Sequence, residues 1–142
     1  MDNLIQFFFE EVDFRLTAEK TVHDWILAVV REEGLEAGVI NIIFCNDEYL
    51  LDLNQRFLER DTLTDVIAFD YGEDNNEVSG DVFISIERIN DNAAALEQLP
   101  EHEVKRVIIH GVLHLCGYAD KSPDEKASMT LREDKYLSLL PG

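Results

Sequence analysis

The sequence predicts an α/β (α+β) fold, a single mixed four-stranded sheet in the order β-α-β-α-β-β with further helices packed on it. Three observations predict this. Short β-branched and aromatic runs alternate with stretches of helical apolar spacing over roughly the first 60 residues. Two more such runs then flank a turn rich in Gly, Asp and Asn with no helix between them, which reads as an antiparallel hairpin. Everything after about residue 86 carries helical spacing and helix caps. With 142 residues, 46% of them hydrophobic, the chain suffices for one ordinary core and is short for two. The expectation is one domain over 1–142.

Each element has its own signal. "IQFFFEEVDF" reads as the first strand by aromatic and β-branched content. Thr17 is placed to cap a helix whose Val22, Trp25, Ile26, Val29 and Val30 share one face, with Gly34 placed to end it. "GVINIIFC" is the second strand, and Asn46 can cap "DEYLLDLNQRFLE", with Leu50, Leu53 and Phe57 as its buried stripe. "TDVIAFDY" and "VSGDVFISI" form the hairpin. Helices follow over about 87–98, 101–116 and 123–140. The first three strands, joined by crossover helices, and the fourth, joined by a tight hairpin, make the sheet mixed.

Composition excludes several classes. No apolar run approaches the roughly 20 residues of a membrane helix, and no Lys or Arg precedes Arg15 to form a secretory leader. A cytoplasmic protein is expected. Cys45 and Cys116 lie in apolar contexts and read as reduced core thiols. The formal net charge is −18, which opposes non-specific binding to nucleic acid or anionic lipid. Residues 1–99 hold 6 Lys/Arg against 23 Asp/Glu, whereas residues 100–142 hold 6 against 7. Contact with a polyanion is therefore easiest in the C-terminal third.

The segment "HGVLHLCGYAD", residues 110–120, carries the chemistry. Residues i and i+4 of an α-helix lie about 40° apart around the axis, so His110 and His114 share a face and can bind one divalent ion. Two buried neutral imidazoles bonded to carbonyls are the other reading of the same spacing. Gly111 lets a neighbouring element approach, and it removes the metalloprotease reading, in which this position carries a glutamate base. Gly117 is placed for a left-handed helix end. The returning chain then offers Asp120 as a third ligand, and two His with one carboxylate and a fourth position for water is a catalytic ligand count. Ser122, Pro123 and Glu125 specify a capped helix directly after Asp120, so the loop is fixed at both ends.

The stretch "HGVLHLCGYADKSPDEKASM" resembles the signature H-G-x-L-H-L-x-G-Y-D-H of the YbeY family, single-strand-specific endoribonucleases associated with maturation of ribosomal RNA. His110, Gly111, Leu113, His114, Leu115, Gly117 and Tyr118 stand in matching places. "LNQRFLERDTLTDVIAFDY" is similar to the family's stretch in which an Asn near a helix end leads to a T-[DN]-V-L-S-F strand, and "SGDVFIS" to its G-D-I-x-I strand. The resemblance implies a metal-dependent endoribonuclease of ribosome biogenesis, a hydrolase holding one divalent ion, Zn2+ by the family's pattern. It implies precursor ribosomal RNA as substrate and a ribosomal protein as partner, which the acidic residues 1–99 could face.

Three departures qualify it. Asp120 replaces the third metal histidine and Ala119 the aspartate before it. Leu58 stands where the family has an arginine, for which Arg60 is the chosen substitute, and Leu63 stands where a proline is usual. A carboxylate ligand leaves the centre at a formal +1 rather than +2, making its bound water a weaker acid and admitting iron or manganese more readily. The expected metal set is His110, His114 and Asp120, with His110, His114 and Arg60 in catalytic roles. Lys105, Arg106 and Lys121 flank the motif as cations for phosphate, and Thr64, Asp65 and Ser79 fall at strand ends that could face the ion. The residues alone leave open whether the attacking oxygen comes from water or from a ribose 2′-hydroxyl. They also admit an assembly factor with a structural metal and a metal-dependent hydrolase of another substrate.

Overall fold

A computed structural model describes residues 4–58, 66–72 and 76–140. The elements run β1 (Ile5–Phe9), α1 (Glu19–Glu32), β2 (Glu36–Cys45), α2 (Asp47–Leu58), β3 (Val66–Asp70), β4 (Glu77–Ser85), α3 (Ile86–Ala95), α4 (Pro100–Leu115) and α5 (Pro123–Ser138). The sheet order is β1-β2-β4-β3. β1 and β4 each pair parallel with β2, and β3 pairs antiparallel with β4. The sheet is thus mixed as expected, but β4 is the inserted strand and β3 the hairpin's outer edge. Burial explains the placement. Val82 and Ile84 of β4 are fully buried on one face while Phe83 packs on the other, a pattern that suits an inner strand.

The two faces of the sheet are covered unequally. Ile40, Ile42, Phe44, Val82 and Ile84 meet Ile26, Val30, Ile89, Ile108, Val112 and Tyr136 in the main core, so helices α1, α3, α4 and α5 lie on that face. Among the described residues only α2 covers the other, where Leu50 meets Cys45 and Ile67 with Tyr49, Leu53, Phe69 and Phe83 at the margin. Asn46 caps α2 as expected, its side chain accepting from Tyr49 N at 2.8 Å.

Three local expectations are corrected. The first strand stops at Phe9, because Glu11 adopts φ 57° and turns the chain so that Phe14 comes back to within 4.9 Å of the Phe44 ring. Thr17 does not cap α1. Ala18 holds that position in a left-handed conformation with no side-chain bond, and burial of Leu16 just before it sets the chain's entry. Phe57 is not on a buried stripe: it is 63% exposed, lies edge-on to Phe69, and the buried residue of that turn is Asn54.

Helix α4 positions the site. A Cβ on Gly111 would lie 2.5 Å from Val82 Cγ1, and one on Gly80 would lie 2.7 Å from Leu115 Cδ2. Helix and strand therefore meet glycine to side chain at both points. With Gly111 turned to the sheet, His110 and His114 lie roughly 60–100° to one side of it around the helix axis, towards α5 and the loop that follows α4.

Candidate metal centre

The end of α4 is a Schellman cap. Gly117 takes φ 106°, its N–H bonds to His114 O at 3.0 Å, and Tyr118 N bonds to Leu113 O at 3.1 Å. Five residues on, Ser122 and Glu125 form a full capping box at the start of α5, with Glu125 N to Ser122 Oγ at 3.1 Å and Ser122 N to Glu125 Oε1 at 2.9 Å. Residues 117–122 are pinned at both ends, and Asp120 is carried back over the histidines.

His114 Nδ1 lies 2.9 Å from the Tyr118 carbonyl oxygen, and His110 Nδ1 lies 2.6 Å from Glu133 Oε2. A carbonyl and a carboxylate can only accept, so each Nδ1 carries a proton, and in the neutral imidazoles each Nε2 presents a lone pair. The two Nε2 atoms are 2.9 Å apart, and Asp120 Oδ2 lies 3.2 Å from that of His110 and 3.5 Å from that of His114. Three lone-pair atoms therefore converge. A single proton bridges at most two of them; a cation meets all three. The separations match the edge of a tetrahedron, about 3.3 Å for metal–ligand bonds near 2.0–2.1 Å. The donors His110, His114 and Asp120 thus fit a divalent ion on their own geometry. Their side chains are 22%, 26% and 35% exposed, so the cluster is open to solvent on one side.

Behind the donors lie partners that the sequence reading missed. Glu133 on α5 is buried and accepts from Arg106 Nη1 at 2.8 Å as well as from His110. Its sequence signal is an acid in the stripe Met129, Glu133, Tyr136, the inward face of α5. On the other side, Tyr118 and Tyr136 both donate their hydroxyls to Glu33, and Arg132 lies 3.3 Å from the same carboxylate with its guanidinium carbon 4.1 Å from the Tyr118 ring centroid. Burial would raise the Glu33 carboxyl, but the two hydroxyls and the charges of Arg132 and Lys135 outweigh it and hold the group below its ordinary value. Through Tyr118 this network reaches the carbonyl that orients His114.

The remaining sequence-predicted residues separate. Arg106 is not available to phosphate, because Glu133 and Asp134 both hold it, the second at 2.7 Å. Lys121 is exposed beside Asp120, and Lys105 is half-buried on α4. Ser79 donates to Glu77 Oε1 at 3.1 Å on β4 instead of facing the cluster. Arg60, Leu63, Thr64, Asp65 and the side chain of Leu58 lie outside the described residues. Both cysteines are unpaired thiols, pushed up to about 12 by burial first and by nearby carboxylates second.

The family model for Endoribonuclease YbeY matches residues 5–141. The chain belongs to the YbeY family. An Endoribonuclease YbeY of Flavobacterium psychrophilum is 48% identical over 129 residues, covering 91% of each chain. One from Cytophaga hutchinsonii is 41% identical over 138 residues, covering 97% of this chain and 96% of its own. A solution structure from Thermotoga maritima superposes with a TM-score of 0.67 at 25% identity, covering 96% of this chain and 88% of that one. The YbeY relatives are named as endoribonucleases, hydrolytic nucleases that act on RNA. Among the described residues no helix is long and apolar enough to cross a membrane.

Proposed function

We propose that this chain is one YbeY-like domain over 1–142 acting as a metal-dependent, single-strand-specific endoribonuclease of ribosomal RNA maturation and ribosome biogenesis, in the cytoplasm. The observation that carries the reading is the convergence of two imidazole nitrogens and one carboxylate oxygen within 2.9–3.5 Å, each imidazole oriented from behind. His110, His114 and Asp120 would hold the ion, Zn2+ by the family's pattern, in a two-imidazole, one-carboxylate set that also accepts iron or manganese. Such an ion supplies Lewis acidity towards a phosphoryl oxygen and lowers the pKa of water in its shell.

The chain's own residues do the rest. The Tyr118 carbonyl holds His114 in the required tautomer, and the capped loop holds Asp120 with little ordering left for substrate or ion to impose. Lys121, exposed next to Asp120, faces solvent where a phosphodiester would approach. Arg60 is the proposed substitute for the arginine that Leu58 displaces. Gly111 offers no side chain on α4 to take a proton, which argues against peptide hydrolysis. The 22–35% exposure of the donors leaves room for substrate and argues against a closed structural site.

A charge of −18 gives little drive for binding bare RNA from bulk solution. This supports delivery by a partner, and a basic ribosomal protein facing the acidic residues 1–99 has the right charge. The test is cleavage of single-stranded RNA by purified protein beside His114→Ala, with and without a chelator. Wild type should cut and both the variant and the chelated enzyme should lose at least about a hundredfold, the scale of a lost catalytic group. Equal cutting by wild type and variant would remove the enzymatic reading.

A further inference from the structure

Glu133 is buried with 8% of its side chain exposed, on the inward face of α5 between Met129 and Tyr136. An acid in that position has to be matched by partners. It has two: Arg106 from α4 takes Oε1 at 2.8 Å, and His110 takes Oε2 at 2.6 Å. Arg106 is itself held by Asp134 at 2.7 Å. The carboxylate is thus fixed on one oxygen and presents the other to the imidazole from behind the cluster. The two histidines differ here, since His114 is oriented by a neutral carbonyl and His110 by an anion.

We propose that Glu133 is a positioning residue, clamped by Arg106, that fixes His110 in the Nδ1-protonated tautomer and so aims its Nε2 at Asp120 and His114. A carboxylate behind an imidazole also makes it a stronger donor to a cation. The centre is asymmetric as a result, since His114 is backed by a neutral carbonyl.

The inference rests on the metal reading for one readout and is independent of it for the other. In metal-free protein, at a pH where imidazoles are neutral, nitrogen chemical shifts of His110 should report the Nδ1–H form in wild type. Glu133→Gln, whose amide can donate as well as accept, should populate the Nε2–H form. A wild-type His110 protonated on Nε2, or a tautomer unmoved by Glu133→Gln, overturns the proposal whatever the metal does. Titration with zinc alone against a chromophoric chelator gives the second readout. Glu133→Gln should bind about 10- to 100-fold more weakly than wild type. Asp134→Asn removes the other partner of Arg106 without touching the Glu133–His110 contact, and should stay within about twofold. Equal losses in the two variants would mean that the α4–α5 ion-pair cluster acts structurally, and would overturn the assignment of Glu133.

Discussion

Replacing Gly111 by alanine tests the packing that holds the candidate centre. In an open helix this change would stabilise, by about 1 kcal/mol of helix propensity. Here the new Cβ would lie 2.5 Å from Val82 Cγ1, 3.3 Å from Val82 Cγ2 and 3.4 Å from Val66 Cγ2. Carbon atoms rest at about 3.5–4.0 Å, so α4 has to lift by about 1 Å or Val82 has to leave its rotamer. Val82 is fully buried in an inner strand and β-branched, so it has little freedom to turn. Overpacking of this kind destabilises by about 1–3 kcal/mol. Set against the propensity gain, the net expectation is a loss of up to about 2 kcal/mol, or up to about 8 °C in Tm for a domain of this size. Thermal and urea unfolding of metal-free protein, followed by circular dichroism, read it directly. A Tm that rises would refute the close approach of helix and strand, and with it the reason for glycine between the two histidines.

Other expectations follow from the same contacts. Glu33→Gln removes charged hydrogen bonds from Tyr118 and Tyr136, and should lower stability at neutral pH by about 1.5–3 kcal/mol. Because the folded carboxyl sits below its ordinary 4.5, that contribution is present above this pH and fades below it, so wild-type and variant unfolding curves should converge in acid. Ser122→Ala should cost about 1 kcal/mol through loss of the capping box, seen as a lower urea midpoint at unchanged slope. With thiols pushed up to about 12, buried Cys45 and half-buried Cys116 should resist iodoacetamide at neutral pH until the protein unfolds, and rapid labelling of the native state would contradict their raised values.

The site was legible where its parts are local. His110 and His114 are one helical turn apart, and the helix stop at Gly117 and the capping box at Ser122 bracket Asp120 within a few residues, so spacing alone brings the donors near one another. Glu133 and Glu33 were not legible in that way. Each reaches the centre only because α5 lies against α4 and the end of α1 meets α5 and the loop after α4, a fact of tertiary packing at a sequence separation of 23 for His110 and Glu133 and 85 for Glu33 and Tyr118. The same limit explains Arg106, which reads as a phosphate-facing cation until the acids of α5 are set beside it. In the sheet, apolar content found all four strands, while their spatial order depended on which strand is buried on both faces. Phe57 and Thr17 were misplaced because an apolar or capping residue at the right spacing does not say whether another element covers it or which way the chain enters.

The central claim is that His110, His114 and Asp120 form one cation site. Equilibrium zinc binding to purified protein, with His110→Ala, His114→Ala and Asp120→Ala measured alongside, tests it most directly. One zinc per chain in wild type and a large loss of affinity in each variant is the predicted result. Wild-type protein that binds no zinc, or an Asp120→Ala variant that binds it as tightly as wild type, would contradict it.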